Sequence, residues 1–281
     1  MINTNEILKK HGLKLTKSLG QNFLTDINVI KNIVEAGDIS SRDLVLEVGP
    51  GIGAMTVILL EQAGKVVAVE IDKHLIPPLE ENLGHFPHFE LVHGDIMKVD
   101  PVPLVKGWDG PLKVVSNLPY YITTPILFKL LESEVPWDTL VFMVQKEVAQ
   151  RMAALPGKKE YGSLSIAVRY HADPKLMFTV SKNCFVPKPD VDSAVVRLKR
   201  RVTPLVPEDE RENFFRTVKA AFSQRRKTLV NSLGIHPFVP GGREGLKGLL
   251  AQLEISENAR AEELSPSQFV ALARLIARKD V

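Results

Sequence analysis

Between Leu44 and Gln145, short β-branched runs alternate with segments whose apolar residues recur every three or four positions. Leu44–Val48, Val66–Ile71, Phe89–His93, Lys113–Ser116 and Thr139–Val144 predict strands, and Ala54–Ala63, Lys73–Leu83 and Pro125–Glu132 predict amphipathic helices between them. That alternation predicts an α/β fold, a mostly parallel sheet covered by helices on both faces. Beyond Lys146 the pattern changes. Leu164–Tyr170, Leu176–Thr179 and Ala194–Leu198 read as strands without long helices between them, which suits an antiparallel edge on the same sheet. Thr203–Pro207 carries two prolines and reads as a linker; the acidic Glu208–Glu210 behind it reads as a helix start. Helical periodicity then fills Asn213–Ser232, Arg243–Gln252 and Pro266–Arg278, the last opened by the capping box Ser265-Pro-Ser-Gln268. The expected organisation is an α/β domain over residues 1–203 and a small all-helical domain over 204–281.

Composition narrows the class of molecule. The 281 residues are 44% hydrophobic and 25% charged, which is ordinary for a globular chain able to bury a full core. Cys184 is the only cysteine, so no disulfide framework can form, and a reducing cytoplasm is the expected location. Met1–Lys17 lacks the apolar core of a leader, and no apolar run reaches the roughly 18 residues of a membrane span. Net charge is only +3, but Arg197–Asn231 holds ten basic residues against four acidic ones. A basic block on an otherwise balanced chain predicts a polyanionic partner, with a solvated helix face as the plain alternative.

Two motifs carry chemistry. In Leu46-Glu-Val-Gly-Pro-Gly-Ile-Gly53 a strand runs straight into glycines that let the backbone turn sharply and let a ligand approach it. With Ala54 the loop fits the dinucleotide pattern, and Glu70, 21 residues after Gly49, is placed for ribose hydroxyls. Glu47 before the first glycine and the alternation Gly49, Gly51, Gly53 tilt the reading towards the S-adenosylmethionine loop of Rossmann-like methyltransferases, which they look like. The second motif, Ser116-Asn-Leu-Pro-Tyr-Tyr121, decides between them. An exocyclic adenine amine is a poor nucleophile because its lone pair is delocalised into the ring. Two acceptors on its N–H bonds, the Asn117 side-chain carbonyl and the Leu118 backbone carbonyl held by Pro119, pull it towards a tetrahedral amine. Tyr120 offers a ring face, rather than its hydroxyl, to an extruded base.

Together with Gln21-Asn-Phe-Leu24, Val69-Glu-Ile-Asp72, Gly94-Asp-Ile96 and Phe185-Val-Pro-Lys-Pro-Asp-Val191, these motifs resemble the KsgA/Erm family of ribosomal RNA adenine N6-methyltransferases over roughly residues 14–235. The tail Phe222–Asn231 is similar to the KsgA branch, the small-subunit dimethyltransferases. The resemblance implies a Rossmann-like class I methyltransferase sheet over 1–203 and a helical RNA-binding domain over 204–281. It also implies transfer of methyl groups from S-adenosylmethionine to two adjacent adenines near the 3′ end of 16S rRNA, with the 30S subunit or its precursor as partner and a role in ribosome biogenesis. Erm-type activity on large-subunit RNA and a non-catalytic assembly role are the rivals.

By that resemblance, Asn22 and Leu24 close over the cofactor, Gly49 and Gly51 lie along it, Glu70 bonds its ribose, and Asp95 accepts from its adenine amine between Ile71 and Ile96. Asn117 serves both the cofactor's methyl end and the target base; Leu118, Pro119 and Tyr120 serve the base, with Phe185 facing Tyr120 across it. Arg225, Arg226 and Lys227, fanned across one helix, cannot all meet one phosphate row; at least two of the three are expected to meet RNA phosphates, with pairing to carboxylates of the first domain as the alternative for the rest. Cys184 reads as inert because methylating an amine needs no covalent intermediate. His85, His88 and His93 lack the spacing of a ligand set, so no metal is expected.

Overall fold

The computed structural model describes residues 10–12 and 20–278; the stretch Met1–Lys17 lies largely outside them. The chain forms two compact units, Met1–Ala149 with Lys175–Arg200, and Gln150–Pro174 with Arg201–Val281.

In the first unit the strands are β1 (Phe23–Leu24), β2 (Leu44–Val48), β3 (Lys65–Glu70), β4 (Phe89–His93), β5 (Leu112–Asn117), β6 (Trp137–Gln145), β7 (Ala172–Val180), β8 (Phe185–Val186) and β9 (Ser193–Arg200). Seven of them form one sheet in the order β4-β3-β2-β5-β6-β9-β7, while β1 and β8 pair separately. From β4 to β6 neighbouring strands run parallel, and β9 returns antiparallel to β6. All of β2 and most of β3 and β5 are buried, as central parallel strands must be, which is why they read as unbroken apolar runs. Glu47, Glu70, Lys113 and Ser116 break that rule; the two acids lie near the carboxyl ends, while Lys113 pairs with buried Asp43 at 3.0 Å. The chain builds outward from β2 to β4 and then returns to place β5 on the other side of β2. Ligands of open α/β sheets bind in the crevice at such a reversal.

Three predicted elements need correction. Leu164–Tyr170 is not a strand but the heart of a helix, Ser163–His171, in the second unit. Nearly every residue of it is buried, so its apolar positions show no one-sided helical stripe, and its short apolar run reads equally well as a strand. The helix expected over Asn213–Ser232 ends at Ala221, passes through a 3₁₀ turn and resumes at Leu229–Ser232. The restart is tied to tertiary structure, because Leu229, the first residue of the second piece, has its N–H on the Ala259 carbonyl at 2.8 Å. The helix Thr56–Leu60 is also shorter than Ala54–Ala63, since the glycine loop occupies the first positions.

Residues 150–174 belong to the second unit, so a single cut at 203/204 does not describe the division. There Tyr161, Ile166 and Tyr170 share a core with Phe214, Leu246 and Phe269 from the tail helices. Among the described residues, no helix is long and apolar enough to cross a membrane.

Candidate active site

A cleft of about 900 Å³, open on one side to solvent, lies at the carboxyl ends of β2, β3 and β5. The glycine loop, Glu70 and Ile71, the run Asn117–Tyr121 and the segment Gly20–Leu24 line it. Gly49 and Gly51 sit at φ +70° and +61°, left-handed values that side chains resist. A Cβ on Gly51 would also stand 2.9 Å from the Phe23 ring, so glycine is required there twice over. This is a cradle in which backbone, not side chain, meets the ligand.

The two acidic residues are treated differently. Glu70 is 4% exposed, and its oxygens accept the N–H groups of Asp72 at 2.8 Å and Gly51 at 3.2 Å. Those bonds tie β3 to the glycine loop and still leave lone pairs for ribose hydroxyls. Burial raises its pKa, and the backbone donors offset part of the rise. Glu47 lines the same cleft with neither carboxyl oxygen hydrogen-bonded. Burial pushes its pKa up to about 8; the Thr56 hydroxyl, near it but outside hydrogen-bond geometry, offsets part of this and the Glu70 charge adds to it. An orphaned carboxyl in a cleft suits a cationic ligand, and S-adenosylmethionine carries both an ammonium and a sulfonium group. Cradle, ribose acceptor and orphaned acid together fit that cofactor.

At the end of β5, Asn117 Nδ2 donates to the Asn22 carbonyl at 3.2 Å. The bond joins the amino-terminal segment to the second motif and leaves Oδ1 as the free acceptor end. Leu118 is 1% exposed, with its N–H on the Met143 carbonyl at 3.1 Å, so its backbone is held firmly. Tyr120 opens a one-turn 3₁₀ helix, and its hydroxyl bonds to Ser193 Oγ on β9. The expectation that only the ring matters therefore needs revision, since the hydroxyl has a buried partner. Tyr121, not singled out from sequence, is 59% exposed at the cleft.

Asn22, Leu24, Gly49, Gly51, Glu70, Ile71 and Asn117–Tyr120 are thus brought together as expected. Asp95 and Ile96 follow β4, where the Gly94 N–H bonds to the Glu70 carbonyl at 2.8 Å, so they stand beside the end of β3 and do not line the cleft itself. Asp95 Oδ1 caps Met97 N–H at 2.9 Å. Ile71 is 46% exposed and Ile96 only 6%. Phe185 departs from expectation. It pairs in register with Leu24 in the β1–β8 ribbon, is 3% exposed in the hydrophobic core and does not line the cleft. The ribbon turns the ring inward, which costs it the place opposite Tyr120. Cys184 is partly buried, and burial followed by the Asp26 charge raises its pKa. Among the described residues no group of His, Cys, Asp or Glu gathers with metal-holding geometry.

In the second unit, Arg225, Arg226 and Lys227 occupy a turn rather than a helix. Arg225 donates to the Lys159 carbonyl at 2.7 Å and lies 3.9 Å from Glu262. Arg226 and Lys227 are exposed. The run is therefore a turn rather than the expected helix, and Arg225 is the member that meets a carboxylate, though one of its own unit.

The strand order, the antiparallel β9 and a glycine cradle with a ribose acceptor define a Rossmann-like, S-adenosylmethionine-dependent methyltransferase. Two solved structures share the fold over most of this chain. A dimethyladenosine transferase from Plasmodium falciparum has a TM-score of 0.76 and 26% identity, covering 89% of this chain and 95% of its own. The 23S rRNA methyltransferase ErmE has a TM-score of 0.74 and 28% identity, covering 92% and 100%. The family profile "Ribosomal RNA adenine dimethylase" matches residues 12–278. The chain belongs to that family, and it is an rRNA adenine methyltransferase. Similar curated proteins include "Ribosomal RNA small subunit methyltransferase A" of Lactococcus lactis, 47% identical over 97% of this chain and 94% of its own length. The protein of that name from Alkaliphilus oremlandii is 46% identical over 98% and 96%.

Proposed function

We propose that this enzyme dimethylates the N6 atoms of two adjacent adenines near the 3′ end of small-subunit rRNA, acting in the cytoplasm on the small subunit or its precursor. The small-subunit relatives, at 46–47% identity, favour this over the large-subunit activity in ErmE's name, where identity is 28%. The observation that carries the chemistry is Asn117, whose amide nitrogen is committed to Asn22 and whose oxygen is left to accept at the cleft.

When bound, S-adenosylmethionine supplies an electrophilic methyl group on a sulfonium. Gly49, Gly51 and Glu70 would hold it, Asp95 and Ile96 would receive its base, and Glu47 would favour its cationic part. Asn117 Oδ1 and the Leu118 carbonyl accept the two N–H bonds of the adenine amine and favour its tetrahedral form. Tyr120 stacks on the extruded base. Alignment supplies most of the rate, with the acceptors adding electrostatic help as positive charge grows on nitrogen. The departing proton has become acidic by then, so no strongly basic residue is needed. In the second round one acceptor holds the single remaining N–H. In the second unit, Arg226 and Lys227 are the expected phosphate contacts.

The test is incubation with labelled S-adenosylmethionine and unmodified small subunits, followed by mapping of the labelled nucleotides. Label on paired adenines near the 3′ end supports the assignment. Label confined to large-subunit RNA overturns it.

A further inference from the structure

Ser193 is a polar residue in an apolar place. It opens β9, opposite Gln145 of β6, and is wholly buried. Among the described residues, its hydroxyl has one hydrogen-bond partner, the hydroxyl of Tyr120, 73 positions earlier in the chain. The backbone around Ser193 is held from two directions. The Asp192 carbonyl accepts the Lys146 N–H at 3.0 Å, and Asp192 Oδ1 accepts the Lys182 N–H at 3.0 Å. The hydroxyl is therefore mounted on fixed structure.

Tyr120 needs such a mount. Its Cα is set by Pro119, at φ −58°, and by the 3₁₀ turn that follows. The ring itself turns about two torsions, the second of which has only a broad preference. A stacking surface is useful only if its plane is defined, because a tilted ring moves the base and with it the reacting amine. Burial, with the Asp192 charge adding, raises the phenol pKa, so the hydroxyl keeps its proton at neutral pH and remains able to bond.

We propose that Ser193 is a positioning residue for base capture, pinning the Tyr120 hydroxyl and so fixing the plane on which the target adenine stacks. The inference rests on the reading of Tyr120 as the stacking residue. It predicts that Tyr120→Phe and Ser193→Ala share one defect. The second methylation suffers more, because a monomethylated amine has one N–H left to guide it and depends more on stacking.

The experiment compares wild type, Ser193→Ala, Tyr120→Phe, the double variant, Ser193→Thr and Tyr120→Ala. Each is given unmodified small subunits and saturating S-adenosylmethionine in single-turnover mode. The readouts are methyl-transfer rate, the ratio of monomethyl to dimethyl adenine, cofactor affinity by calorimetry and melting temperature. Expected are roughly tenfold slower transfer in Ser193→Ala and in Tyr120→Phe, no further loss in the double variant, and a raised monomethyl fraction in all three. Cofactor affinity should be unchanged, and Ser193→Thr, which keeps a hydroxyl, should recover rate. Wild-type rate and product ratio in Ser193→Ala, or losses that multiply in the double variant, overturn the inference. So does a loss that merely follows a fall in melting temperature and cofactor affinity. Wild-type rate in Tyr120→Ala overturns the stacking reading itself; a slow Tyr120→Ala beside a normal Ser193→Ala overturns only the role of Ser193.

Discussion

Glu47 and Glu70 lie near the ends of neighbouring strands, β2 and β3, with their carboxyl groups at one cleft. Glu70 has two backbone donors and Glu47 has no hydrogen bond, which gives the pair separate signatures. Burial holds the Glu47 pKa at about 8 in the folded chain, against an ordinary carboxylate value of 4.5. Between those values the folded state holds a proton that the unfolded state has released. The stability linked to this group is therefore fully present below about pH 4.5 and is lost as pH rises towards 8. Melting of the ligand-free protein should fall more steeply from about pH 5 to pH 8 in wild type than in Glu47→Gln. Parallel pH profiles would mean that Glu47 is already satisfied. Glu70→Ala should weaken S-adenosylmethionine binding by about 1.5–3 kcal/mol, the scale of hydrogen bonds to a charged group; unchanged calorimetric affinity in a folded variant would remove Glu70 from the site. Asn117→Ala should lower the single-turnover rate about 10²–10³-fold with little change in RNA affinity, by analogy with losing one preorganised polar contact to the transition state. A loss of affinity at constant rate would contradict the acceptor role. At this scale the sequence was most readable where motifs are local. Glu70 and Asn117 were legible, but Ser193 was not, because a lone serine beside an aspartate carries no signal of a tyrosine 73 positions away.

Among the elements, the glycine loop and the basic turn show how local pattern and tertiary demand differ. The loop was legible because its backbone geometry needs glycine whatever surrounds it. The reason Gly51 cannot carry a side chain became visible only with Phe23 packed on it. Gly51→Ala pays about 1–2 kcal/mol for the left-handed backbone and must also displace the Phe23 ring. Denaturant unfolding should show at least that loss, together with weaker cofactor binding; an unperturbed cleft would mean that Phe23 moves freely. The basic run was expected on a helix because nothing within it breaks one. The helix stops at Ala221, and the next one starts at Leu229 with its N–H on the Ala259 carbonyl, a partner 30 residues further on that no local pattern reveals. With Arg225 tied to Lys159 and Glu262, replacing Arg226 and Lys227 with Ala should shrink the slope of log RNA affinity against log salt by about 1.4. No change in slope would place the RNA-binding surface elsewhere. Helix Ser163–His171 reads as a strand for the opposite reason, since the unbroken burial of Leu164–Val168 hides the periodicity that identifies a helix.

Across the whole molecule, the chain leaves its first unit at Ala149, contributes residues 150–174 to the second, returns, and leaves again after Arg200. The strand–helix alternation made the first unit legible, and the tail periodicity made most of the second. The insertion stayed hidden because its apolar residues would suit either core. A fragment of residues 204–281 would lack Tyr161, Ile166 and Tyr170 from its core and the bond from the Tyr161 hydroxyl to the Leu264 carbonyl, 2.9 Å long. It should fail to melt cooperatively, whereas linking residues 150–174 to it should restore a transition; calorimetry on the two fragments distinguishes these outcomes. The same arrangement has a consequence for synthesis. Tyr161 leaves the ribosome 103 residues before the carbonyl it must bond. At about 5–20 residues per second, an apolar insertion waits roughly 5–20 seconds for the helices that will cover it. During that interval the nascent chain carries an uncovered core segment in its middle, so chaperone demand should peak late in translation rather than at the start.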